Sequence, residues 1–115
     1  MDEAKRKRWR EMLRPRSKVR EWEAALQDDL TLYCRLETMR GRVIGFSVVL
    51  LHGAQCVTRY DTEHGTAHRD VLDRKGKLIR KEWLQEHTFH DAFEYARLDV
   101  TLNCRRYYRE FCDRG

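Results

Sequence analysis

Twelve consecutive residues, Arg59-Tyr60-Asp61-Thr62-Glu63-His64-Gly65-Thr66-Ala67-His68-Arg69-Asp70, hold two histidines, three acids, two arginines and a tyrosine. His64-Gly65 fits the two central positions of a tight hairpin turn. Glycine accepts positive φ freely, and histidine is among the non-glycine residues enriched there. With that turn, residues opposite each other have numbers that sum to 129. Asp61 then faces His68, Arg59 faces Asp70, Tyr60 faces Arg69 and Thr62 faces Ala67. Strand alternation puts Arg59, Asp61, His68 and Asp70 on one face of a sheet. Tyr60 and Arg69 fall on the other face, within reach of a cation–π contact.

These residue types suit acid–base work on a phosphodiester. A carboxylate beside an imidazole fixes its tautomer and holds its proton, so Asp61 would make His68 a general acid or base. His64 at the turn would be its partner in proton transfer. Arg59 and Arg69 would hold phosphate, and Tyr60 would stack on or position a nucleotide. RNA cleavage without a metal needs these parts: a base for the 2′-hydroxyl, an acid for the leaving oxygen and cations for the developing charge. The same residues also suit an ordinary charged hairpin, where facing opposite charges add about 0.2–1 kcal/mol per pair. A metal held by His64, His68 and one acid matches no specific zinc spacing, so no metal or cofactor is assigned. His87 and His90 flank the start of a helix and His52 belongs to a turn, all read as structural.

The elements that position this hairpin follow from periodicity. From Thr31 the period is two: Leu32, Cys34 and Leu36 alternate with Tyr33, Arg35 and Glu37, a half-buried strand. Met39-Arg40-Gly41-Arg42 is a turn, and residues 43–51 form a strand apolar on both faces, hence central. His52-Gly53-Ala54 turns the chain into a strand over 55–62. Strands over 67–73 and 78–84 follow, separated by the turn Arg74-Lys75-Gly76-Lys77. Short connections make these an antiparallel meander. Thr88 with Asp91 resembles a capping box, and Phe89, Phe93, Ala96, Val100, Cys104, Tyr107 and Phe111 then recur at spacings of three and four. That helix, roughly 24 residues and about 36 Å long, would cover one face of the sheet. At the N-terminus Trp9, Met12 and Leu13 mark a first helix. Pro15 ends it, and Ser17 caps a second with Trp22, Ala25 and Leu26 on one face. Trp9 and Trp22 are expected to dock on the body rather than to stack on bases. The expected fold is α+β: basic N-terminal helices, a four- to five-stranded antiparallel meander and a long C-terminal helix. Residues 1–28 read as a basic arm and 29–115 as a single domain.

Charge is unevenly spread. The net charge is +5, yet residues 1–20 hold nine cations against three acids, so the other 95 residues carry −1. An arm bearing Lys5, Arg6, Lys7, Arg8 and Arg10 favours RNA or another polyanion through counterion release. Cys34, Cys56, Cys104 and Cys112 show no Cys-x-x-Cys spacing and read as small buried hydrophobes in a reducing cytoplasm. The longest apolar run, residues 43–51, is about half a membrane-spanning helix, so no membrane contact is expected.

The pattern Arg59-Tyr60-Asp61, His64-Gly65, His68-Arg69-Asp70, then Trp83-Leu84 and a long aromatic helix, resembles a group of small uncharacterised prokaryotic proteins. More distantly it resembles the TumE-type toxins of toxin–antitoxin pairs. That resemblance spans roughly residues 43–111. It implies a small α+β protein acting on RNA, with an antitoxin-like protein as partner. The expected function is RNA binding with metal-independent ribonuclease activity. The competing reading is a non-catalytic interaction or homo-oligomerisation module whose charged hairpin is architecture.

Overall fold

The computed structural model describes residues 2–13, 16–63, 65–85 and 88–114, without the side chains of 11–13. The elements run α1 (Glu3–Leu13), β1 (Lys18–Ala25), β2 (Leu30–Met39), β3 (Arg42–His52), β4 (Gln55–Glu63), β5 (Thr66–Leu72), β6 (Leu78–Trp83) and α2 (Phe89–Asp113). The six strands form one antiparallel sheet in the order β1-β2-β3-β4-β5-β6, and α2 lies across one of its faces. The α+β reading, the meander and the covering helix therefore hold, with β3 inside the sheet as its two apolar faces require.

Two expectations are corrected together. Residues 17–26 are not a second helix: β1 pairs with β2 from Lys18 opposite Thr38 to Ala25 opposite Thr31. The sheet accordingly has six strands, not four or five. Trp22, Ala25 and Leu26 do carry helical spacing, but only Trp22 and Leu26 pack against the core. Propensity is a weak prior, and the unpaired edge of β2 offers β1 a full ladder of backbone bonds. The break expected at Pro15 lies outside the described residues.

The core forms where α2 meets the sheet. Phe93, Ala96, Val100, Cys104, Tyr107 and Phe111 of α2 are buried against Leu32, Cys34, Phe46, Val48, Leu50 and Tyr60. Phe93 is met edge-on by Phe46 at 5.6 Å and by Trp22 at 5.9 Å. The expected docking of Trp22 is thus observed. Trp9 differs: it is 51% exposed, and among the described residues α1 packs against no other element. Thr88 caps α2, its Oγ1 accepting from the Asp91 N–H at 3.0 Å. The four cysteines are free thiols. Cys34 and Cys104 are buried and Cys56 and Cys112 half-buried, and burial pushes the Cys34 thiol up to about 11.

Candidate functional site

The β4–β5 hairpin has the register expected from the sequence. Arg59 pairs with Asp70, Tyr60 with Arg69, Asp61 with His68 and Thr62 with Ala67. Gly65 adopts φ +80°, the left-handed conformation a tight turn demands. His64 lies outside the described residues.

On the face away from α2, His68 and Asp70 are 2% and 3% exposed. The acid beside His68 is not Asp61. Asp61 Oδ1 instead accepts from Ser47 Oγ at 3.3 Å and from the Thr62 N–H at 2.8 Å. His68 Nε2 lies 3.4 Å from Asp70 Oδ1 and 3.9 Å from Glu63 Oε2, within charge contact but outside hydrogen-bonding geometry for Asp70. Asp70, two residues along the same strand, shares the face of His68, while the bonds to Ser47 and Thr62 occupy the Asp61 carboxylate. Asp70 Oδ2 accepts from Arg59 Nε at 2.8 Å, a bond that raises the Arg59 pKa. Lys81 Nζ holds Glu63 at 2.7 Å and lies 4.0 Å from Asp70 Oδ1; the hydrogen bond to Glu63 raises the Lys81 pKa. Trp83 meets the His68 ring edge-on at 5.2 Å. His68 Nδ1 and Asp70 Oδ1 have no hydrogen-bond partner among the described residues. The cluster therefore contains a buried acid–base pair with unused polar atoms, ringed by Arg59, Lys81 and Trp83.

The other face carries a second polar network, beneath α2. The Asp99 carboxylate accepts from the hydroxyls of Tyr60, at 2.7 Å, and Tyr107 through Oδ2, and from Asn103 Nδ2 at 2.8 Å through Oδ1. Burial, then the bond to Asp99, pushes the Tyr107 hydroxyl up to about 12 and raises Tyr60 further for the same reasons. Both tyrosines are therefore held as neutral donors. Arg69, only 7% exposed, donates to both carboxylate oxygens of Glu82 and to Thr58 Oγ1 at 3.2 Å. Burial works against its charge, but the Glu82 contacts leave its pKa raised overall. Its guanidinium stacks over the Tyr107 ring at 4.5 Å, so the cation–π contact goes to Tyr107 and not to Tyr60. An open cleft of about 330 Å³ is lined by these groups together with Leu84, Tyr95 and Arg106.

A third feature gathers charge at one end of the sheet. Arg40 and Gly41 have φ of 52° and 77°, the pair of positive values that a two-residue hairpin turn requires. Lys18 opposes Thr38, so the start of β1 lies beside that turn. Arg16, Lys18, Arg20, Arg40 and Arg42 are exposed there, close to where α1 joins the sheet. The β4–β5 hairpin is at this same end.

The expected site residues are thus divided. Arg59 and His68 stand together on the open face. Tyr60 and Arg69 stand beneath α2 on the other, so Arg59 and Arg69 cannot grip one phosphate. Lys5, Arg6, Lys7, Arg8 and Arg10 line the exposed helix α1. Among the described residues no three His, Cys, Asp or Glu side chains converge on a metal position. Sequence patterning assigned no role around His68 to Glu63, Lys81 or Trp83, nor around Arg69 to Asp99, Asn103, Tyr107 or Glu82. One signal was present: Asp99 interrupts the edge of an otherwise apolar helix stripe, with Asn103 one turn further on. A family model described as a domain of unknown function (DUF7718) matches residues 8–114. No curated protein and no solved structure matches the chain.

Proposed function

The chain belongs to the DUF7718 family, a domain of unknown function, and for this member we propose RNA binding through α1 and the basic end of the sheet. The observation that carries this reading is how the cations are partnered. In the body, Arg35, Arg59, Arg69, Arg97, Arg105 and Arg106 each have a carboxylate within 4.0 Å, while Arg74, Lys75 and Lys77 of the β5–β6 turn and Arg109 have none among the described residues. Lys5, Arg6, Lys7, Arg8, Arg16, Lys18, Arg20, Arg40 and Arg42 have none among the described residues. Clustered exposed cations repel one another, and a phosphodiester strand relieves that repulsion while releasing its own counterions. The open face around His68 offers less: Asp61, Glu63 and Asp70 outnumber Arg59 and Lys81. The basic end is therefore the stronger polyanion surface.

Fluorescence anisotropy with a labelled single-stranded RNA across a salt series tests this. Affinity should fall steeply with salt, and should weaken at every salt concentration when Lys5, Arg6, Lys7 and Arg8 are changed to Ala. Absent or salt-independent binding would sink the reading.

Metal-independent RNA cleavage is a second reading, favoured by one observation. His68 Nδ1 and Asp70 Oδ1 are buried with no hydrogen-bond partner among the described residues, on the strand that begins at the same end of the sheet as β1. Asp70, rather than Asp61, would then assist His68, with Arg59 and Lys81 balancing charge. Incubation of a range of RNAs with the protein in EDTA decides it: cleavage lost in His68→Ala supports the enzyme, and intact RNA with wild-type protein rejects it. On this second reading the resemblance to TumE-type toxins adds an antitoxin-like protein partner covering the same end of the sheet.

A further inference from the structure

The side of α2 that faces away from the sheet has an apolar centre between charges of opposite sign. Leu98 and Leu102 are 60% and 71% exposed, and Tyr95 beside them is also exposed. Asp91 and Glu94 precede them and Arg105, Arg106 and Arg109 follow, all exposed. At about 100° per residue, Asp91, Leu98, Leu102, Arg105 and Arg109 fall on one stripe, opposite the stripe that meets the sheet. Asn103 departs from helical φ and ψ, yet Cys104, Tyr107 and Phe111 continue the buried stripe beyond it. The outer stripe therefore stays continuous.

We propose that this stripe is the interface of a twofold dimer, in which α2 packs antiparallel against α2 of a second copy. The charge order selects the occupant and its direction. Antiparallel, facing residue numbers sum to about 200: Leu98 meets the partner's Leu102, Asp91 meets the partner's Arg109, and Glu94 meets the partner's Arg105. Tyr95 lies beside the partner's Arg106, a cation–π geometry. A parallel pair would instead set arginine against arginine and acid against acid. Opposed helix dipoles add to the antiparallel preference. Asp91 and Arg109 have no ion pair among the described residues. Glu94 holds Arg97 at 2.8 Å and Arg105 holds Asp28 at 2.7 Å, exposed pairs that exchange partners at little cost. The contact is isologous, so it closes at two copies, with layers ordered sheet, helix, helix, sheet.

Sedimentation equilibrium of the nuclease-treated full chain, at roughly physiological salt, tests the proposal independently of RNA binding. The wild type should sediment at twice the chain mass. Asp91→Arg with Glu94→Arg should sediment as a monomer, as should Arg105→Glu with Arg109→Glu, because each sets like charges against each other. An equimolar mixture of the two variants should return to dimer, since the exchanged charges again match. Leu98→Ser with Leu102→Ser, changing two exposed side chains, should be monomeric with unchanged circular dichroism. A monomeric wild type, variants that dimerise like the wild type, or a mixture that stays monomeric would each overturn the interface.

Discussion

Asp99 shows how one buried-edge carboxylate organises a site from distant parts of the chain. Its partners come from β4 and from two further turns of α2, and the two tyrosines stay protonated because burial and Asp99 both disfavour their anions. The pH consequence has a definite sign. Below pH 10, the ordinary tyrosine value, folded and unfolded chains are both protonated and this contribution is fully present. Between 10 and about 12 the unfolded chain releases the Tyr107 proton while the folded one keeps it, so stability falls as pH rises. Melting temperature should therefore drop above pH 10 in the wild type, and less steeply in Tyr60→Phe with Tyr107→Phe. At neutral pH that double variant should itself be destabilised by about 1–3 kcal/mol, because Asp99 Oδ2 loses both donors; no change would mean that water replaces them without cost. The Tyr60–Asp99 bond spans 39 residues of sequence, and no periodicity reveals it. The hairpin register, by contrast, was legible because a turn-forming glycine at Gly65 and strict alternation act over a dozen residues.

β1 and α2 differ in how their secondary structure is decided. α2 is specified locally: Thr88 caps it and its apolar positions recur at helical spacing over seven turns of sequence. Thr88→Ala should cost about 1 kcal/mol and lower the melting temperature by about 4 °C or more; an unchanged melting curve would show that the cap contributes nothing. β1 is decided by its neighbour. Its residues are nearly all exposed, and its helix-like spacing of Trp22, Ala25 and Leu26 is overruled by eight residues of pairing with β2. As an edge strand with one side chain docked on Phe93, it should open before the rest of the sheet. Amide exchange should be faster across β1 than across β3, and faster still in Trp22→Ala. Equal protection of the two strands would contradict this order. The turn at Arg40-Gly41 was readable from Gly41, while its consequence, the placing of Arg42 at the same end of the sheet as Lys18 with β2 between them, required the position of β1.

For the molecule as a whole, the decisive property is where charge is balanced and where it is not. Most cations of the strands and of α2 have a carboxylate within 4.0 Å, Arg109 being an exception. In α1 only Arg10 has one, from Glu3, and Arg16, Lys18, Arg20, Arg40 and Arg42 have none among the described residues. If both parts touch the same RNA, Lys18→Gln with Arg42→Gln should reduce the salt dependence of binding as the α1 substitutions do. Each lost phosphate contact should lower the slope of log affinity against log salt by about 0.7 for a single strand. An unchanged slope would confine binding to α1. The outer face of α2 lies on the opposite side of the helix from the sheet, so the proposed dimer interface shares no residue with the proposed RNA surface.

The amino-acid sequence by itself determined the meander from β2 to β6, the register of the β4–β5 hairpin, the capped α2 and the basic character of the N-terminal segment. Those features arise from interactions between residues near one another in the chain, or from charge counts that need no coordinates. Only the tertiary structure decided that β1 is a strand, that Asp70 rather than Asp61 stands beside His68, and that Arg69 stacks on Tyr107. It also decided that Arg59 and Arg69 are parted by the thickness of the sheet, and that Arg40 and Arg42 join the basic arm. Each depends on which distant segment packs against a residue. Burial and pairing between distant segments override local preference, because covering an apolar face or an open strand edge is worth more than the few tenths of a kcal/mol per residue that local propensity supplies.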